Sequence, residues 1–254
     1  MNIVILAGGF GTRLSEYTEV IPKPMVKIGD APMLMHIINQ YSKYKYNSFF
    51  IALGYKSEFI INFFSEIGKK IENTIDPDKI AFTFFVNELK ITVNLIDTGL
   101  ETMTGGRIKK LSKYLSNDKF MVTYGDGLAD INLNDLEKYH CSHGKMATIT
   151  AVQPPARFGS LKLDGNKVKQ FREKSKLDES WINGGFFVFE PEFLNYIDND
   201  NTFLEREPLE TISGLNELIA FKHDGFWQCM DTKRDRDMLQ KLYSDNEIDV
   251  FFKL

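Results

Sequence analysis

Apolar and polar positions fall in blocks whose period changes repeatedly along the chain. Residues 2–7 are almost wholly apolar and run straight into glycine, the pattern of a strand buried on both faces. Residues 33–44 place Leu34, Ile37, Ile38 and Tyr41 at helical spacing, and 49–53 is a second apolar strand run. A helix over 57–67 turns Phe59, Ile60, Phe63 and Phe64 inward, and 80–85 and 91–96 read as strands. A helix over 107–115, a strand over 120–124, a helix over 134–142 and a strand over 146–152 continue the series. Such β/α alternation over the first 150 residues predicts an α/β fold, a largely parallel sheet with helices on both faces. Beyond it the pattern shifts. Residues 158–163 and 167–171 flank Asp164, Gly165 and Asn166, a hairpin by turn chemistry. A strand over 181–189, two short helices and a closing helix over 233–243 complete the chain.

The candidate chemistry sits where strands end. The first strand opens into Ala7, Gly8, Gly9, Phe10, Gly11, Thr12 and Arg13, and Pro22, Lys23, Pro24 and Met25 follow. A glycine-rich turn at the end of a buried strand lets bare backbone N–H groups approach phosphate oxygens. Arg13 adds a bidentate fork and Lys23 a point charge. Neither standard phosphate motif fits. The dinucleotide fingerprint needs glycine where Leu14 stands, and the P-loop needs Lys where Thr12 follows Gly11. Asp126, between Gly125 and Gly127 at the end of an apolar strand, suits a hard cation such as Mg²⁺, which takes one or two carboxylates; the alternative is a turn residue. Asp231 is either the second carboxylate or a plain N-cap of the closing helix.

Composition narrows the class. The chain has 254 residues, 43% of them hydrophobic, enough for one substantial core. Its formal charge of −4 argues against a general nucleic-acid binder. Two cysteines, Cys141 and Cys229, offer no disulfide framework, and no Cys/His cluster has zinc spacing. No apolar run reaches the ~20 residues of a membrane helix, and the apolar start lacks the basic flank of a signal peptide. The expectation is a cytoplasmic protein without a membrane or nucleic-acid partner.

Several motifs together resemble the sugar-phosphate nucleotidyltransferases, and within them the glucose-1-phosphate cytidylyltransferases. They are LAGGFGTRL (6–14), PKPM (22–25), DTGLETMTGGRIKK (97–110), TYGDGLAD (123–130), FREK (171–174), INGG (182–185) and GFWQCMDT (225–232). The resemblance implies a Rossmann-like mixed, mostly parallel sheet flanked by helices, with a smaller C-terminal hairpin and helix part. Residues 1–254 would form one domain, 1–150 mainly binding nucleotide and 151–254 mainly binding the acceptor. It further implies that Leu6, Ala7, Gly8, Gly9, Phe10, Gly11, Thr12 and Arg13 wrap the ribose and phosphates of CTP. Thr104, Gly105, Arg107 and Gly125 would also meet the nucleotide. Arg13, Lys23 and Asp126 would be catalytic, and Asp126 and Asp231 would hold Mg²⁺. Glu173 and Lys174 would bind the sugar hydroxyls and phosphate, with Asn183 and Gly184 facing the hexose; alone, Glu173 and Lys174 would read as a solvated pair. The segment 64–94 is shorter than the insertion that builds the family's subunit interface, and Ser175 stands where proline is usual; the first bears on a homo-oligomer, the second on the acceptor.

The implied reaction joins CTP and a sugar 1-phosphate, α-D-glucose 1-phosphate, into CDP-glucose and pyrophosphate. The attacking phosphate oxygen is already an anion, so no general base is needed, and His36, His140, His143 and His223 read as structural. A related enzyme using another acceptor phosphate, or using UTP or dTTP, and a non-catalytic nucleotide sensor are the alternatives. The sensor reading would be signalled by loss of Arg13, Lys23, Asp126 or Asp231, and all four are present.

Overall fold

In a computed structural model, residues 1–71, 76, 78–154, 160–172 and 181–251 are described. Nine strands form one sheet. They are β1 (Asn2–Leu6), β2 (Ser48–Leu53), β3 (Lys69–Lys70), β4 (Lys79–Val86), β5 (Leu89–Asp97), β6 (Phe120–Tyr124), β7 (Ala147–Val152), β8 (Ile182–Phe189) and β9 (Leu218–His223), in the order β9-β7-β8-β6-β1-β2-β5-β4-β3. Seven of the nine point the same way; β4 and β8 are reversed.

The side chains of β1 explain its central place. Ile3 and Ile5 face one core and Val4 and Leu6 the other, all buried. The first core is covered by α1 (Met33–Ser42), α2 (Ser57–Ile67), α4 (Leu133–His143) and α6 (Lys233–Asp245), where α3 is Thr104–Lys110 and α5 Glu207–Gly214. The second core lies under α3, the short helix Ser112–Leu115, the 3₁₀ turn Pro191–Tyr196 and α5. Helices on both faces are what a continuously apolar central strand requires.

Some of these expectations hold as they stand, and others need detail or correction. The strand at 80–85 is present as β4, but it is antiparallel to β5 because only Asn87 and Glu88 connect them. Two residues can close a hairpin and cannot span a parallel crossover. Phe59 faces solvent, while Ile60 and Phe64 carry the buried stripe of α2. The helix expected over 107–115 is two helices, broken at Leu111 with ψ near 0°. Strand β9 falls where only short helices are expected, since its side chains are half-buried or exposed and it pairs on one side only. The hairpin forms as Ser160–Asp164 and Lys167–Arg172, apart from the main sheet. The rest of the C-terminal part is woven in, because β8 inserts between β6 and β7.

Two small ribbons matter more than their size. Gly127–Ala129 pairs antiparallel with Trp227–Cys229, placing Cys229 opposite Gly127. The Met230 amide then donates to the Asp126 carbonyl at 2.8 Å. Immediately afterwards α6 begins with a full capping box. The Thr232 amide donates to Asp235 Oδ2 at 2.9 Å and the Asp235 amide to Thr232 Oγ1 at 3.3 Å. Thr232, and not Asp231, is the cap, so the Asp231 carboxylate is free for another task.

Because that cap fixes the backbone beside Asp231, Thr232→Ala should cost about 1 kcal/mol. For a chain of this size the loss corresponds to a melting shift of roughly 2–4 °C. Thermal denaturation checks it, and an unchanged midpoint would show that the box does not hold the helix start.

Candidate active site

The glycine turn after β1 has a specific backbone reason at two positions. Gly11 sits at φ +64°, in the left-handed region. Gly8 lies against a guanidinium, and a Cβ there would fall 2.2 Å from Arg107 Nη1. Arg107 is buried, and its Nη1 donates to the Leu53 carbonyl (2.8 Å), the Thr98 hydroxyl (2.6 Å) and the Gly99 carbonyl (2.8 Å). Its Nη2 donates to the carbonyls of Gly8 (2.9 Å) and Leu100 (3.2 Å). One side chain thus ties together the loops that leave β1, β2 and β5. Arg107 reaches the pocket wall, but here its hydrogen bonds go to the four carbonyls and the Thr98 hydroxyl that shape the pocket.

The charged centre lies beside this loop. Lys23 opens a one-turn 3₁₀ segment, Lys23–Met25, with Pro22 at its N-cap and Pro24 inside it. Its ammonium donates to Asp126 Oδ2 at 2.5 Å and to Asp231 Oδ1 at 2.7 Å. Arg13 approaches the other oxygen of Asp231 at 2.8 Å from the solvent side. Burial by itself would lower the Lys23 pKa, but Asp126 and Asp231 outweigh it and hold the value above that of an ordinary lysine. A raised pKa means that the pairing is fully present at neutral pH and is lost only as pH climbs through the raised value.

Two cavities meet here. One, of about 490 Å³, is lined by Leu6, Ala7, Gly8, Gly9, Phe10 and Gly11 on one wall and by residues 100–104 on another, with Arg13, Lys23, Arg107, Tyr124, Gly125 and Asp126 between them. The other, of about 370 Å³, is lined by Asn183, Trp227, Asp231 and their neighbours. Arg13, Tyr124 and Asp126 line both. A larger cavity of about 820 Å³ lies elsewhere, between Met35, Phe63 and Phe84. It has neither the glycine turn nor the paired carboxylates, so size alone does not make it the site.

Sequence reasoning did not single out three residues at this junction. The Tyr124 hydroxyl donates to Glu205 Oε1 at 2.5 Å and accepts from Asn183 Nδ2 at 3.1 Å. Burial, reinforced by Glu205, pushes the Tyr124 phenol up, so it stays a donor. Thr104 donates to the second oxygen of Glu205 at 2.8 Å, and Trp227 Nε1 donates to the Gly184 carbonyl at 2.8 Å. Tyr124 could have been flagged as the last residue before Gly125 and Trp227 as part of GFWQCMDT; Glu205 carries no local signal. Among the expected residues, Thr12, Gly105 and Gly184 line neither cavity. Gly105 backs onto Thr202, and Gly184 onto Val152 and Thr150. Glu173 and Lys174 lie outside the described residues.

Other reactive groups are occupied elsewhere. His36 bonds the Ile28 carbonyl, and His140 bonds Thr148 and Glu190. His143 bonds Thr148, and His223 pairs with Asp130. Burial and the neighbouring Asp231 push the Cys229 thiol up to about 11, far from a reactive thiolate at neutral pH. As a metal site, Asp126 and Asp231 offer two hard carboxylates that already converge on one cationic nitrogen, a donor set that fits Mg²⁺. No group of three or more metal-ligating side chains occurs among the described residues, so phosphate or water oxygens would complete the shell.

Comparison with known proteins gives a consistent picture. Residues 2–233 match the family model described as nucleotidyl transferase. The glucose-1-phosphate cytidylyltransferase of Salmonella typhi is 44% identical over 252 residues, covering 96% of both chains. A probable glucose-1-phosphate cytidylyltransferase of Bacillus subtilis is 38% identical, covering 97% of this chain and 98% of its own. The crystal structure of HddC from Yersinia pseudotuberculosis superposes with a TM-score of 0.71 at 25% identity, over 95% of this chain and 99% of that one. A phosphate-suited glycine turn, a centre of paired charges, and full-length relatives agree: the chain belongs to the nucleotidyl transferase family.

Proposed function

We propose that the protein transfers the cytidylyl group of CTP to α-D-glucose 1-phosphate, giving CDP-glucose and pyrophosphate. The observation that carries this reading is the pair of cavities meeting at Arg13, Tyr124 and Asp126, with Lys23 and Asp231 alongside. The relatives' names supply the nucleotide and sugar. In this reading the larger of the two takes the nucleotide against the glycine turn and the smaller the sugar phosphate. Glu173 and Lys174, following the strand Lys167–Arg172, would add hydroxyl and phosphate contacts on the acceptor side. No helix among the described residues is long and apolar enough to cross a membrane, and we place the reaction in the cytoplasm.

The chemistry follows from charge. An oxygen of the sugar phosphate forms a bond to the α-phosphorus of CTP. The bond from that phosphorus to the β-phosphate oxygen breaks, and its electrons leave with pyrophosphate. The nucleophile is already ionised, so no residue need accept a proton; the engagement of the four histidines elsewhere agrees with this. The barrier lies in bringing two polyanions together and in the charge that builds on the equatorial oxygens. Backbone amides of the glycine turn, the Arg13 fork and the Lys23 ammonium would oppose that charge with little reorganisation. Mg²⁺ held by Asp126 and Asp231 would supply further Lewis-acid neutralisation there. Tyr124, fixed by Glu205 and Asn183, would orient the wall shared by the two substrates.

A screen for pyrophosphate release, with CTP against a panel of sugar 1-phosphates and with each nucleotide against glucose 1-phosphate, tests the reading. CTP should exceed UTP by roughly one to three decades in kcat/KM, because a buried amino–carbonyl mismatch leaves polar groups unpaired at about 1–3 kcal/mol apiece. Equal turnover of the two would refute the cytidylyl assignment. Asp126→Asn and Asp231→Asn should each lower kcat by about 10²-fold or more while circular dichroism stays unchanged. Near-wild-type turnover in either would remove that carboxylate from the centre.

A further inference from the structure

The Lys23 side chain is only 11% exposed, against 25% for Asp126 and 20% for Asp231, so it is the most buried of the three. All three backbones are pinned. Lys23 is set between prolines, Asp126 is bonded through its carbonyl to the Met230 amide, and Asp231 abuts the capped start of α6. The ammonium therefore bonds the same two side chains that a divalent ion would need. Two carboxylates aimed at one point repel unless a cation lies between them. In this conformation the protein supplies that cation itself, covalently tethered and so at high effective concentration.

We propose that Lys23 is the resident counter-cation of the Asp126–Asp231 pair, and that a divalent metal takes the pair only when nucleotide phosphate draws the ammonium away. Lys23 also lines the cavity formed by Gly8, Gly9 and Gly11, so phosphate bound at the glycine turn offers it a second anionic partner within reach. The exchange conserves charge at each stage. Without ligand, the two carboxylates face Lys23 and, on the outer side, Arg13. With ligand, they face the metal, while Lys23 and Arg13 face the phosphates. Metal and nucleotide then bind cooperatively, and linkage makes the effect reciprocal. The nucleotide-free site is also protected from adventitious divalent ions. The inference rests on reading Asp126 and Asp231 as the metal pair, and is independent of which base or sugar is used.

The test is Mn²⁺ binding to the full chain without nucleotide, read as free Mn²⁺ by electron paramagnetic resonance. Lys23→Gln and Lys23→Met should each bind one Mn²⁺ at least about tenfold more tightly than wild type, within the usual span of coupling factors. Equal or weaker binding in both variants would overturn the proposal. Adding Asp126→Asn to Lys23→Gln should abolish the gain. Retention of the gain would place the metal elsewhere, overturning the site reading and this inference together. Should neither neutral variant fold by circular dichroism, wild type decides. A tight stoichiometric Mn²⁺ site without nucleotide contradicts the proposal, and weak binding supports it. Because the titration contains neither nucleotide nor acceptor, failure of the CTP assignment would leave its outcome untouched.

Discussion

One buried ammonium holds two carboxylates that lie far apart in the sequence, and the site depends on that contact. Asp126 lies in the turn just after a central strand; Asp231 precedes the last helix. Without Lys23 their mutual repulsion would oppose closure of the ribbon Gly127–Ala129 with Trp227–Cys229. With it, the ribbon, the capping box of α6 and the proline-bounded turn around Lys23 all favour one arrangement. The three elements are short and individually weak, and each is stabilised by the others.

Around this centre two arginines act differently. Arg107 is buried and spends its guanidinium on four carbonyls and a hydroxyl, fixing the loops at the carboxyl ends of β1, β2 and β5. In open α/β sheets this is where ligands bind. Arg13 is largely exposed, bonded to Asp231 among the described residues, and able to turn to a phosphate. The first sets the shape of the pocket and the second supplies movable charge. Tyr124, between the two cavities, joins them through Glu205 to Thr104 on one side and through Asn183 on the other. The walls of the two cavities are thereby parts of one hydrogen-bonded structure.

Much of this was legible in the residues themselves. The apolar run before Gly8 and the one before Gly125 revealed β1 and β6, because strands buried on both faces leave a continuous apolar run that does not depend on their partners. The glycine turn, Lys23 and Asp126 were visible for the same reason: their chemistry is local. The reversal of β4, the insertion of β8 and the edge strand β9 were not, since pairing direction and order are set by contacts distant in sequence. Glu205 stayed invisible because an acidic residue in a polar segment differs from its neighbours only through the tyrosine it meets. Asp231 was ambiguous until Thr232 proved to be the cap, a distinction made by backbone geometry.

The measurement that tests the account most directly is a crystal structure with Mn²⁺ and a non-hydrolysable CTP analogue, located by the anomalous signal of the metal. The account predicts one Mn²⁺ touching both Asp126 and Asp231, with the α-phosphate against the glycine turn and Lys23 moved from the carboxylates to phosphate oxygen. A metal bound away from either aspartate, or a nucleotide seated in the larger cavity between Met35 and Phe84, would contradict it.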